Sequence, residues 1–441
     1  MKRVVGVYTG SAEIMQANWK TVDQLEEEIG LNLVILGMGP AGDVWGPSQE
    51  VARKAPIEVK PAGKDDPLNG FIREAHRRNI DVWICISLYA EMDSGPNHPE
   101  LAFRDFDGNI VEPVSRHGSG WAWSWCPSNR KWRQYNEELL QDLTKRYEID
   151  GFTMTHQRYS PIGHNLFNFF GCGCKECERA AGELGYDFPR MRSGLQKLLG
   201  SMKNVDAHRL ARLRDLDLGF IDLLYYLGAD PSLVDWLNFR CDLIDTGMER
   251  YHKAVKAIRD DVTIGTDSFP PTFSLISGHD YGMLERHSDF LSPLLSHVFI
   301  FSLFNFMELT ARMTDWNRDI SEADLLPVLY RAFGYDKLGF PDSLKAFHEH
   351  ETLPSSDFSD TKLPLGEAVK REAFKAAAAV RHDKPMYGIF SAHSKIDANG
   401  AKFRAAAMRD AGMDGVILQV GQLPGPEANL KAISEVLARG G

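Results

Sequence analysis

What this chain lacks narrows its function first. No apolar run approaches the roughly 20 residues needed to span a bilayer. The richest stretch, HVFIFSLFNFM, is too short and reads as a buried element. The start, MKRVVGVYTG, is basic but has no long apolar run and no small-residue cleavage site, so it reads as a first strand and not as a signal peptide. Positive charge is in deficit: 50 Lys and Arg against 61 Asp and Glu give a formal net charge of -11. With a pI near 5.7, that argues against nucleic acid and against an anionic membrane surface as partners, and favours a neutral ligand. Cysteine is scarce and unevenly placed. Of six, three crowd into CGCKEC, which is not the spread of a disulfide framework. The expectation is a cytoplasmic protein of ordinary composition, with mean hydropathy -0.30.

What is present is an alternation of strand and helix. Apolar strand patterns fall at RVVGVYTG, LNLVILGMG, DVWICISLY, GFTMT, DVTIGTDSF, DFLSPLLSHVF, PMYGIFSA and DGVILQV, with amphipathic helical segments between them. Eight such strands predict a single (β/α)8 TIM barrel over residues 1–441, rather than an open doubly wound sheet. No G-x-G-x-x-G follows the first strand to support the open sheet. Two interruptions are expected: a Cys-rich and helical insertion over 162–235 after the fourth strand, and a helical insertion between the sixth and seventh.

In such a barrel the chemistry lies at the C-terminal ends of the strands. Those ends carry Tyr89 and Glu91 after the third strand, His156, Gln157, Arg158 and Tyr159 after the fourth, Asp267 after the fifth, His297 after the sixth and His393 after the seventh. The segment DGFTMTHQRYSP is rich in hydrogen-bonding groups but offers no acid at its mouth; a glutamine stands where a proton donor is expected. Asp267, in GTDSFPP, is the best strand-end carboxylate, with Glu91 next. Nine Trp, several beside Gly and polar residues, agree with a sugar ligand; in GWAWSW one face of the alternation can be core and the other a platform.

The thiol cluster points to a metal. Cys172, Cys174 and Cys177 form C-x-C-x-x-C, and tetrahedral zinc takes a fourth ligand, for which Cys126 and His164 are the candidates. A closed four-ligand site is structural and leaves no position for substrate. Cys85 and Cys241 read as core residues.

The run CPSNRKWRQYNEELLQDLTKRY, with DGFTMTHQRYSP and CGCKECERAAGELGYD after it, resembles the central region of glycoside hydrolase family 42, the zinc-containing β-galactosidases. It is equally similar to the related hypothetical glycoside hydrolase barrels, whose third-strand loop resembles NHPELAFRDFDGNIVEP and whose eighth strand resembles AGMDGVILQV. The firm similarity covers residues 97–187. It implies that one upstream Cys and the three clustered ones bind structural zinc, that the substrate is a small carbohydrate, and that the chain forms a homo-oligomer. It also implies a retaining mechanism, with an acid/base Glu closing an Asn-Glu pair after the fourth strand and a nucleophilic Glu after the seventh. Here the pair falls on His156-Gln157, and the seventh strand, GIFSAHSKID, offers Ser391 and His393 instead of Glu.

Retaining hydrolysis requires two carboxylates about 5 Å apart, and a glutamine has no useful acidity. Three readings follow. Gln157 can be an inactivating replacement of a natural Glu, with Asp267 assisting or attacking and Tyr89, Glu91, His156, Arg158, Tyr159, His297 and His393 holding substrate. Gln157 can be native, with Asp267 and a His serving an inverting hydrolase or a sugar lyase or isomerase. Or the barrel can bind carbohydrate without catalysis.

Overall fold

The computed structural model describes residues 3–10, 19–37, 45–64, 66–91, 97–116, 123–216, 218–348, 363–381 and 384–438. Eight parallel strands form the expected barrel: β1 (Val4–Thr9), β2 (Leu33–Leu36), β3 (Asp81–Ser87), β4 (Gly151–Thr155), β5 (Thr263–Ser268), β6 (Phe290–Pro293), β7 (Tyr387–Ser391) and β8 (Gly415–Gln419). Each pairs with its neighbours in chain order, and β8 returns to β1 through Val4 opposite Gly415. The β6–β7 seam closes more sparsely, through bridges at Leu291–Met386 and Leu294–Ile389. β2, β4, β6 and β7 are buried at every residue. This is why they read as continuous apolar runs: side chains on both sheet faces are covered, one by the barrel interior and one by helices.

The surrounding helices follow the amphipathic segments: α1 (Trp19–Ile29), α2 (Leu68–His76), α3 (Arg130–Arg146), α4 (Ser232–Lys256), α5 (Phe304–Trp316), α6 (Leu365–Ala379), α7 (Ala398–Asp410) and α8 (Glu427–Leu437). In α3, Asn129 caps the N-terminus by accepting from the Trp132 amide at 3.0 Å. The apolar stripe Trp132, Tyr135, Leu139, Leu140 and Leu143 then faces inward, while Lys145 and Arg146 end the helix where its dipole favours cations. Between β4 and α4 the chain forms helices at Lys175–Glu183, Phe188–Met202, Ala207–Arg214 and Phe220–Tyr226.

The sixth strand is shorter than its sequence suggests. It stops at Pro293, and a 3-10 turn (Leu295–His297) and a π-helical turn (Phe299–Leu303) carry the aromatic run directly into α5. Its phenylalanines are core: Phe306 packs edge-on against Phe273 and Phe333, which stack at 4.6 Å. Burying such rings contributes about 1.5–3 kcal/mol each. Trp125 is likewise core, edge-on to Trp132 at 4.3 Å, so it serves no platform; Trp123 is half-buried and Trp121 lies outside the described residues. Among the described residues no helix is long and apolar enough to cross a membrane.

Candidate active site and metal centre

At the C-terminal end of the barrel lies a cavity of about 280 Å³, walled by Tyr8, Thr155, His156, Arg158, Asp267, Leu294, His297, Ile300, Phe301 and Gln419. The walls come from the ends of β1, β4, β5 and β8 and from the two irregular turns after β6. Asp267 is the one carboxylate among these lining residues. It is buried, and the Thr153 hydroxyl donates to its Oδ1 at 2.8 Å while Oδ2 has no hydrogen-bonding partner. Burial pushes its pKa up to about 6, against the opposing pull of Thr153, Thr155 and the Arg158 charge. A carboxyl group poised there can both give and take a proton near neutral pH.

Arg158 supplies the positive charge. Its guanidinium is only 3% exposed and lies over the rings of Phe301 at 4.7 Å and Phe269 at 5.2 Å. Burial brings its pKa down to about 10, partly offset by Asp267, so it remains a cation at neutral pH. Burial, with that cation's help, keeps the neighbouring histidines neutral. Burial first, then Arg158, lowers His297 to about 4 and holds His156 well below the ordinary imidazole value. Ser87 Oγ donates to the Ala90 carbonyl at 3.1 Å and lies 2.9 Å from His156 Nδ1. His297 stacks on Phe301 at 5.3 Å with Nδ1 2.6 Å from Ser296 Oγ. Deeper, Tyr8 Oη lies 2.5 Å from Cys85 Sγ. Burial, Cys85 and Asp267 all raise the Tyr8 pKa, so it stays a phenol.

The structure corrects four of the expected positions. Gln157 does not face the cavity. Its side chain is fully buried against α4, where Nε2 donates to the Ile244 carbonyl at 3.3 Å. The cause is local: His156 has φ 53, in the left-handed region, so the simple alternation of strand side chains ends there. Thr155 and Arg158 reach the cavity and Gln157 turns outward. Tyr89 also lies on the α4 side, its hydroxyl 3.1 Å from that of Tyr251. Gly247 lets α4 come this close, since a Cβ there would sit 3.3 Å from Tyr89 Oη. Tyr159 packs under Arg240, whose guanidinium is 3.8 Å from the ring centre. His393, with Nδ1 accepting from the Lys395 amide at 3.2 Å, is not among the lining residues. The side chain of Glu91 lies outside the described residues.

Sequence reasoning missed His279, in SGHDYG between β5 and β6. It is fully buried, accepts at Nδ1 from the Phe269 amide at 2.9 Å, and donates from Nε2 to the Gln157 carbonyl at 2.8 Å. This ties the turn carrying Arg158 to the turn beyond Asp267. Burial lowers its pKa to about 3, so it acts as a fixed neutral strut. Nothing in its sequence context marks it; only the meeting of two strand-end loops gives it a role.

The thiols gather as expected. Sulfur atoms of Cys126, Cys172, Cys174 and Cys177 all lie within 4.8 Å of one another, with Cys126 3.4 Å from both Cys174 and Cys177. His164 is not part of the group. The Arg104 amide points at Cys172 Sγ at 3.4 Å and Ser128 Oγ lies 3.2 Å from Cys177 Sγ. Bonds from Cys126 and its two sister thiols hold the Cys174 sulfur far below the ordinary thiol pKa. Four sulfurs at these separations form a set that can hold one metal ion.

The fold and site define a (β/α)8 barrel with a strand-end cavity that holds one carboxylate and one arginine, and a separate four-thiol centre. No family model matches the sequence, and no curated protein matches it. Solved structures share the fold. The PgaB (BpsB) glycoside hydrolase domain from Bordetella bronchiseptica aligns with TM-score 0.54 at 13% identity, over 99% of both chains. A GH42 β-galactosidase from G. stearothermophilus gives 0.53 at 12%, and a β-galactosidase from Halorubrum lacusprofundi 0.51 at 12%. Each covers 99% of this chain but only 57% of the β-galactosidase, so this chain spans little more than half their length. These likenesses show the barrel fold of glycoside hydrolases.

Proposed function

We propose that the cavity is the active centre of a glycosidase acting on a small glycoside, with Asp267 as its acid/base. One observation carries this reading: a buried carboxyl group at the end of β5, the one carboxylate among the residues lining the cavity, raised to about 6 and with one oxygen held by Thr153. The cavity volume of about 280 Å³ falls just below the usual span of ligand sites, about 300 to 1,000 Å³, which suits a single small ring. Protonated Asp267 gives its proton to the glycosidic oxygen as the bond from the anomeric carbon breaks. The carboxylate then takes a proton from the water that adds to that carbon, which restores the acid and balances the hydrolysis. Arg158, His156 and His297 supply directed hydrogen bonds to the sugar. The shared fold of glycoside hydrolases supports the class of reaction.

A second reading, a sugar lyase or isomerase or a carbohydrate-binding barrel without turnover, is favoured by Asp267 being the one carboxylate among the lining residues. Hydrolysis of a panel of aryl glycosides separates the two. Turnover by the unmodified protein that is lost in Asp267→Asn supports the glycosidase, and binding without any turnover supports the alternative.

The four-thiol centre reads as a structural zinc site. Zinc–thiolate bonds of about 2.3 Å in a tetrahedron put sulfurs about 3.8 Å apart, close to the 3.4 Å separations here. Bound, zinc would be held by Cys126, Cys172, Cys174 and Cys177. It would tie the loop before α3 to the segment after β4, away from the cavity.

A further inference from the structure

Arg240, on α4, is a second buried cation, and its setting differs from that of Arg158. It is fully buried, and its terminal nitrogens donate to main-chain carbonyls, Nη1 to Phe169 and Nη2 to Asn168, each at 3.1 Å. Among the described residues its hydrogen bonds go to these neutral carbonyls and no acid pairs with it. Burial brings its pKa down to about 10, and the charges that oppose burial come from Tyr159, Cys241, Cys177 and Cys172. For Arg158 the opposing charge is a carboxylate, Asp267. A cation taken out of water without a counter-charge is costly. The placement of Arg240 shows where that counter-charge lies. Asn168 and Phe169 lead directly into CGCKEC, so the guanidinium is bonded to the segment that delivers Cys172. It also lies 3.8 Å from the ring centre of Tyr159, whose pKa is raised by burial and then by Cys177 while Arg240 opposes both.

The thiol centre has the complementary need. Four thiolates around one zinc ion leave a net charge of about -2. Cys126, Cys172 and Cys177 are buried and Cys174 is half-buried, so water screens little of that charge. The Arg104 amide beside Cys172 and the Ser128 hydroxyl beside Cys177 bring dipoles but no full charge. We propose that Arg240 is the counter-cation of the four-thiolate metal centre, seated on the Tyr159 ring and tied to the segment that enters Cys172. This rests on the zinc reading of the centre and is independent of the glycosidase. Arg240 acts through charge and not as a ligand, and a fixed cation in a low-dielectric interior favours the thiolate forms that a metal requires. Its two carbonyl bonds hold the guanidinium on that side of the centre.

The test is the zinc affinity of the full chain, measured by competition with a chromophoric chelator, for the parent, Arg240→Met, Arg240→Lys and His279→Ala. Each variant's fold is checked by circular dichroism. Arg240→Met removes the charge and should hold zinc about 10- to 100-fold more weakly. Arg240→Lys restores the charge without the fork to two carbonyls and should lie within about fivefold of the parent. His279→Ala weakens the fold at the turn beyond Asp267 and leaves the charge near the thiols unaltered, so its affinity should match the parent's. Unchanged affinity in Arg240→Met overturns the proposal. A loss in Arg240→Lys or in His279→Ala as large as that in Arg240→Met also overturns it, because the arginine then acts only through the fold. If Arg240→Met does not fold, Arg240→Lys decides: zinc held within about fivefold of the parent supports the proposal, and a larger loss overturns it. A parent that binds no zinc removes the zinc reading and the proposal together. Zinc bound equally by the parent and by Arg240→Met removes the proposal alone.

Discussion

Replacing Gln157 by glutamate asks directly where position 157 points. Here the side chain is fully buried, its amide donates to the Ile244 carbonyl at 3.3 Å, and Oε1 has no partner. The backbone of α4 passes close by, with Gly247 leaving no side chain to yield. A glutamate there exchanges the donor for a second acceptor aimed at a carbonyl and buries a charge with no cation bonded to it. Losing that bond and desolvating the carboxylate costs about 2–4 kcal/mol at pH 8. The sign of the pH dependence follows from burial, which raises the glutamate pKa above its unfolded value of about 4.3. The native state therefore holds the proton more tightly than the unfolded state. The deficit is small below about pH 4, grows as pH rises, and is complete above the raised pKa. Protonated, the new side chain again offers a donor to Ile244. Urea unfolding followed by tryptophan fluorescence at pH 4 and pH 8 measures the difference, and the aryl glycoside panel is run alongside. A variant as stable as the parent at pH 8 that gains hydrolysis by orders of magnitude would falsify the outward placement and return the acid role to position 157.

Other outcomes follow from the same geometry. Asp267→Asn should lower turnover by about 10²- to 10⁴-fold. In the unmodified protein any kcat/KM should fall as pH rises through about 6, because the proposed donor is the protonated form; a profile that rises through pH 6 removes Asp267 as donor. Replacing His279 by Ala leaves the Phe269 amide and the Gln157 carbonyl without their buried partner and should cost about 2–4 kcal/mol in urea unfolding. His279 also has a folded pKa lowered to about 3, so in the parent its stabilisation is present above pH 6.5 and lost as pH falls towards 3; the variant should lose less stability over that window. Cys126→Ser should reduce bound zinc from one per chain, read by elemental analysis, and lower stability by several kcal/mol. Less than one zinc in unchelated parent protein sinks the zinc assignment.

The alternation of apolar runs made the barrel legible, because parallel strands covered on both faces leave a strong signal in single segments. The thiol centre was legible for a different reason: three of its sulfurs lie within six residues, and Cys126 precedes a helix and strand that run antiparallel and so return the chain to the same end of the barrel. Asp267 was legible from its place at a strand end. Direction was not. At β4 the expectation that each residue beyond the strand faces the mouth failed at His156, whose φ of 53 reverses the sense of the chain and sends Gln157 to α4. No propensity marks a histidine for that conformation, which is uncommon for any residue but glycine; it is held by tertiary bonds, including Ser87 to the imidazole. The same turn that hides Gln157 sets Arg158 in the cavity wall.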